Sequence, residues 1–192
     1  MEKNTVIVAV VTLLVGLGIG YMTWGTSAIR PGSHMMSDGT MMGQNIDQHF
    51  IVQMIPHHEG AIAMAKIALE RSKRPEVLSL AKGIIAAQEK ENRDMRAWYQ
   101  SWYGSAAPSS GMGMMHMGGM TGDLNTLASA ADFDREFITQ MIPHHEMAIM
   151  MAQMLQASTG RNEMKQLAAN IIASQSQEID LMRGWLKAWP TE

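Results

Sequence analysis

A ten-residue phrase, Phe-Ile-x-Gln-Met-Ile-Pro-His-His-Glu, stands twice in the chain, at Phe50–Glu59 and at Phe137–Glu146. Continued without a gap at the same 87-residue offset, residues 50–102 align with 137–189 at 26 identities in 53 positions. Self-similarity over that length means a duplicated structural unit rather than two chance motifs. It constrains the fold, because whatever buries the apolar face of one half must also serve the other. A site built from the motif exists either as two equivalent copies or as one shared between the halves. With 192 residues in total, the halves form one compact domain rather than two independent ones.

Each half reads as a helix hairpin. From Asp47 to about Arg71, Phe50, Met54, His57, Ala61, Met64 and Ala68 form a stripe at steps of four and three, with Ile51, Ile55, His58, Ile62, Ala65 and Leu69 beside it. Together they make one broad buried face. Pro75 suits the first position of a helix, and Val77, Ala81, Ile84, Gln88, Glu91, Met95, Trp98 and Trp102 keep the rhythm up to Gly104. The second half repeats the pattern over Asp132 to about Ala157 and Asn162 to Trp189, with Gly160 between them and Pro190 after. Pro56 and Pro143 fall inside these helices, where the missing N–H kinks the rod, or else each helix begins at its proline. The short loops 72–74 and 159–161 force antiparallel pairs, and two such hairpins bury their stripes as an all-α four-helix bundle. Residues 45–189 are then the bundle, with repeats 45–103 and 132–189 joined by a linker at 104–131. The linker and the segment 29–44 are rich in Gly and Met, and both should be mobile without a ligand.

Thr5–Tyr21 is almost wholly apolar and uncharged, and small residues follow at Thr26 and Ala28. Such a run is an export signal peptide over residues 1–28, or an uncleaved anchor helix holding residues 5–24 in the inner membrane. Either reading puts the bundle in the periplasm or outside the cell, with the membrane met only through this segment. The formal net charge of −3, with both signs interspersed, leaves no Lys/Arg cluster to track a phosphate backbone, so nucleic acid is not an expected partner. The absence of cysteine excludes disulfides and thiolate sites. Any soft donor must therefore be methionine, and 19 Met in the 164 residues from Ile29 onward exceed what gap-filling in a core asks for.

Counting outward from the turn near Lys73, Met54, His57 and His58 should face Gln88, Glu91 and Met95. By the repeat, Met141, His144 and His145 should face Gln175, Glu178 and Met182. A polar layer in an apolar seam costs stability unless its groups are hydrogen-bonded or ligate an ion. The bland explanation is that Glu91 and Glu178 pair with His57 and His144, or with Arg96 and Arg183, and fix register. The functional one is a metal. Thioether is soft and imidazole borderline, a set that takes Cu(I) and its analogue Ag(I) first and extends to Cu(II), whereas zinc seldom uses thioether. A di-iron centre would draw carboxylates from Glu59, Glu91, Glu146 and Glu178, but it also needs Glu-x-x-His spacing, which the core helices lack. The linker offers Met112, Met114, Met115, His116, Met117 and Met120 to the same soft ion, and exposed Met in a mere tether would only invite oxidation. Trp98, Trp102, Trp185 and Trp189 read as core at the bundle end rather than as a cation cage. No nucleophile elbow, phosphate-cradling loop or cysteine nucleophile is present, so the chain reads as a binder and not an enzyme.

The paired Met-Ile-Pro-His-His-Glu-x-Ala-Ile-x-Met-Ala segments, Met54–Ala65 and Met141–Ala152, resemble the domain-of-unknown-function family 305, and the likeness covers nearly all of Asn45–Trp189. The resemblance implies a ferritin-like helical bundle, secretion, and copper or silver binding linked to metal tolerance. It marks Met54, His57, His58 and Met64, with their counterparts Met141, His144, His145 and Met151, as metal ligands. Met95, Met182 and the linker donors extend that set, while Glu59, Gln88, Glu91, Glu146, Gln175 and Glu178 stand as hydrogen-bonding support. The expected function is sequestration, tolerance or relay of copper outside the cytoplasm, and a copper efflux or chaperone protein of the envelope is the partner a relay would meet. The rivals are a metal-dependent oxidase or ferroxidase, and an envelope interaction module that binds no metal.

Overall fold

The computed structural model describes residues 38–108 and 122–189, with side chains from Ile46 onward. Among the described residues there are five helices and no strand: α1 (Asp38–Arg71), α2 (Pro75–Tyr103), α3 (Leu124–Ser129), α4 (Phe133–Ser158) and α5 (Asn162–Ala188). Pro56 and Pro143 lie inside α1 and α4, so neither helix starts at its proline. α1 begins well before the periodic stripe does, and residues 38–44, expected to be mobile, belong to it. Once the packed part of a helix is nucleated, each further turn is cheap to add, and a stripe of buried residues marks only the part that packs.

The two hairpin turns are built alike. Ser72 and Thr159 each donate their N–H back to the helix they end, at Ala68 and Leu155 (3.0 and 2.8 Å). Their hydroxyls each accept the N–H of the arginine two residues on, Arg74 and Arg161 (both 3.1 Å). Such a hydroxyl turn reverses the chain in three residues, and Pro75 then opens α2 with φ already set. α2 stops at Gly104, whose φ of +70° lets its N–H reach the Gln100 carbonyl.

α1 pairs with α2 and α4 with α5, and the two hairpins meet through α1 and α4. Two apolar clusters result. The first joins Phe50, Ile51, Met54 and Ile55 of α1, Met95 and Tyr99 of α2, Ala148, Met151, Ala152 and Leu155 of α4 and Met164, Leu167, Ala168 and Ile171 of α5. The second joins Ala61 to Ala68, Val77 to Ile84, Phe133 to Met141, Ile179 and Met182. Each cluster takes the start of one central helix and the end of the other, so α1 and α4 run antiparallel and the duplicated halves exchange places about the middle. Side chains such as Phe137, Ile51 and Leu155 are fully buried, each worth about 1.5–3 kcal/mol of transfer free energy.

Each turn arginine reaches across to the opposite half. Arg161 meets the buried Asp47 at 3.2 Å and lies 4.0 Å from the Trp102 ring centre, while Arg74 meets Asp134 at 3.2 Å and lies 4.1 Å from Trp189. The tryptophans stack in pairs at each end, Trp98 on Trp102 and Trp185 on Trp189. All four are half-buried against the two clusters, as expected for core at the bundle end, and Trp102 and Trp189 each also offer an indole face to an arginine.

The linker also departs from expectation, because α3 docks on α1 and α4. Asp123 caps it by accepting the N–H groups of Asn125 and Thr126, and Leu127 is fully buried in the second cluster. Gln140 grips both the N–H and the carbonyl of Asp123, and Arg71 donates to the carbonyls of Ala128 and Ala130. One buried leucine and one cap suffice to dock a six-residue helix that composition alone reads as tether. No described helix is long and apolar enough to cross a membrane. The apolar run 5–21 and the linker donors Met112, Met114, Met115, His116, Met117 and Met120 lie outside the described residues.

Candidate metal centre

Between the two apolar clusters lies a polar layer, and both copies of the motif contribute to it. Consecutive helical residues point about 100° apart, so the members of each histidine pair take different directions: ring centres are 6.4 Å apart for His57 and His58 and 6.3 Å for His144 and His145. His57 turns toward α4 and His144 toward α1. Their rings meet with centres 3.7 Å apart and planes 46° apart. The two copies of the motif therefore meet at the α1–α4 contact.

The other histidine of each pair turns toward its own hairpin partner. His58 Nε2 lies 2.8 Å from Glu91 Oε2, and His145 Nε2 lies 2.6 Å from Glu178 Oε2. This corrects the pairing of these carboxylates with His57 and His144 or with Arg96 and Arg183; a residue one position along a helix faces a different neighbour. With Nε2–H donated to a carboxylate, the lone pair falls on Nδ1, and the Nδ1 atoms of both His58 and His145 are buried without a hydrogen-bond partner. A carboxylate behind an imidazole is the arrangement that orients a ligating histidine. Glu59 and Glu146 are not part of the layer. They sit half-exposed and bind Arg96 and Arg183 at 2.6 and 2.5 Å, which removes two of the four carboxylates a di-iron reading would draw on.

All four histidines are buried, and neither ring nitrogen of His57 has a hydrogen-bond partner of normal geometry. Burial, helped by the nearby His144, His58 and His145, pushes the His57 imidazole down to about 2, with a contact to the His144 backbone working slightly the other way. His57 is therefore neutral and keeps a lone pair for a ligand at any physiological pH. Gln88 and Gln175, buried one turn from Glu91 and Glu178 on the same helix faces, each keep an unpartnered Oε1. Asn92 was not singled out from the sequence. It is buried in the same region, donates to the Ile55 carbonyl at 3.4 Å, and has an unpartnered Oδ1. Its counterpart in the repeat is Ile179, so an amide where the other copy has an alkyl group was the available signal.

The candidate methionines flank this layer. Met54, Met95 and Met151 lie in the first cluster and Met64, Met141 and Met182 in the second. Met54 and Met141 precede His57 and His144 by three residues, which places each thioether on the same helix face as the imidazole. Met64 is farther out, its sulfur 2.6 Å from where a Cβ on Gly122 would stand. Gly122, with φ of +66°, is thus required both by its backbone and by Met64. Among the described residues no three or more His, Asp or Glu side chains gather as a cation cage. What is gathered is imidazole with thioether nearby in a dry interior, a donor set that suits a soft ion of low coordination number better than a hard one.

An all-helical protein with a buried double-histidine layer on a duplicated hairpin is the class defined by these features. The profile of the family described as domain of unknown function (DUF305) matches residues 47–186, and the chain belongs to that family. It is similar to CopM, solved in its Cu(II)-bound form, at 50% identity and a TM-score of 0.71 over 75% of this chain and 97% of that one. To the Cu(I)-bound and Ag-bound forms of CopM the identities are 47% and 46%, with TM-scores of 0.68 and coverage of 76% of this chain and 98% of theirs. A putative secreted DUF305 protein from Streptomyces coelicolor is 28% identical with a TM-score of 0.67, over 74% of this chain and 93% of that one. The uncharacterized protein L153 of Acanthamoeba polyphaga mimivirus is 43% identical over 53 residues, which span 28% of this chain and 35% of that protein.

Proposed function

We propose that the protein is a metal-binding protein of the cell envelope that holds monovalent copper in the middle of a ferritin-like four-helix bundle. Ag(I) is its analogue and Cu(II) a second oxidation state that imidazole accommodates. His57, His144, His58 and His145 carry the site, Met54 and Met141 lie nearest in sequence on the same faces, and Met64, Met151, Met95 and Met182 line the two clusters beyond. Glu91 and Glu178 orient His58 and His145. The carrying observation is the buried meeting of His57 and His144, two imidazoles in contact where a fold selected only for stability would place carbon. The copper- and silver-bound forms of the similar CopM support the choice of ion. Export is supported by the Thr5–Tyr21 run and by the secreted description of the Streptomyces relative. The role is sequestration or relay without turnover, and a copper efflux or chaperone protein is the partner for relay.

Titration with Cu(I) against a competing chelator, comparing the parent with a His57→Ala/His144→Ala variant, tests the reading. Loss of at least about 100-fold in affinity is expected on removing two ligands; unchanged affinity refutes the shared centre. Dioxygen consumption during ferrous or cuprous oxidation by the purified protein would favour the oxidase reading instead.

A further inference from the structure

The duplication supplies an internal control on what the fold requires of each position, and one stretch of α4 exceeds it. Met147, Met150 and Met154 occupy positions that are Gly60, Ala63 and Ile67 in α1. Met150 and Met154 are 53% and 55% exposed, more than any other large apolar side chain described, while Met147 is half-buried against the first cluster. The three follow at steps of three and four, so neighbouring Cβ atoms stand about 5–6 Å apart on one face. No Lys, Arg, Asp or Glu occurs between Met147 and Ser158, whereas the matching part of α1 carries Lys66, Glu70 and Arg71. Within the stripe there is no like charge to repel a cation, and the carboxylate next to it in sequence, Glu146, is engaged by Arg183 at 2.5 Å. Exposed methionine gains little from burial and is open to oxidation, so packing does not account for Met150 and Met154 beside the partly packed Met147. The same face leads inward, since His144, Met147, Met151 and Met154 are spaced three, four and three, about 15 Å along the helix at 1.5 Å per residue.

We propose that Met147, Met150 and Met154 form an outer site on α4, separate from the histidine layer, that binds a soft monovalent ion through thioether sulfur. The choice of Cu(I) or Ag(I) as that ion rests on the function proposed above; the site itself stands on the exposed stripe.

Silver nitrate is the probe, with the methionine methyl groups carbon-13 labelled and assigned in the full chain. The methyl signals of Met150 and Met154 shift on titration, and still shift in the His57→Ala/His144→Ala background. The Met150→Leu/Met154→Leu variant, which keeps helix propensity and side-chain volume, loses an equivalent of silver while the Met54 and Met141 signals respond as in the parent. Unmoved Met150 and Met154 methyls, or an unchanged stoichiometry in the leucine variant, overturn the outer site. So does broadening of these signals with protein concentration in the absence of silver, which would make the stripe a contact for a second copy. Failure of the histidine layer has a different signature: the alanine variant then takes up as much silver as the parent.

Discussion

The end of the molecule where Arg161 spans Asp47 and Trp102 and the middle where His57 meets His144 both bury polar groups, on opposite terms. At the end, a buried carboxylate faces a guanidinium 3.2 Å away. Burial pushes Asp47 up, and Thr159 and Arg161 pull it back by bonding its charged form. That clasp ties one hairpin's turn to the other hairpin's first helix, so its polarity holds the fold together. In the middle, imidazole faces imidazole, and several buried nitrogens and amide oxygens lack partners. Polarity that costs stability and is kept in both copies of a repeat is what the proposed metal site accounts for and the scaffold does not need.

If that contrast is right, substitutions at the ends and in the middle differ in sign. The largest effect is expected for Phe137→Ala, which empties a fully buried position stacked on Phe133 in the second cluster. It should cost about 3–5 kcal/mol in urea unfolding, and a cost below about 1 kcal/mol would mean that the cluster is not the structural core. Arg161→Ala comes next, at about 1–3 kcal/mol, because it strands the buried Asp47. Arg74→Ala should cost less, since its partner Asp134 is more exposed, at 18% against 2% for Asp47. Equal losses would show that burial of the carboxylate does not set the strength of the clasp.

The smallest effect has the opposite direction. His57→Leu should stabilise the metal-free protein at pH 7 by about 1–2 kcal/mol while weakening Cu(I) binding; a clear loss of stability would contradict the view that the layer is costly. The same variant sharpens the pH dependence. His57 titrates near 6.5 when unfolded and is held to about 2 when folded, so below pH 6.5 the unfolded chain binds the extra proton. Its contribution is intact above that pH and is lost as pH falls from 6.5 toward 2, with a slope of at most about 1.4 kcal/mol per pH unit. Urea midpoints of the metal-free parent should follow this slope more steeply than those of His57→Leu, and parallel curves would mean that His57 is not held neutral by the fold.

Much of the scaffold was legible because it is local. Hairpin register depends on distance from a short turn, so counting outward from Lys73 brought the His57–His58 level opposite the stretch from Gln88 to Glu91, and the repeat did the same for the second half, but the count did not tell which histidine takes the carboxylate. What was not legible lies between the hairpins. The meeting of His57 with His144 depends on where α1 crosses α4, and no short loop dictates that crossing. α3 was hidden because one apolar residue, Leu127, has no period to show. Glu59 looked like part of the layer because it adjoins the histidines in sequence, yet one more residue along the helix carries it round to the surface and Arg96.

The central claim is that the shared histidine layer is where a monovalent ion rests. Anomalous diffraction from crystals loaded with Ag(I) tests it most directly. The account predicts a silver peak within bonding distance of imidazole nitrogen in the layer formed by His57, His58, His144 and His145. Silver found only on outer thioethers such as Met150 and Met154, with no peak in that layer, would contradict it.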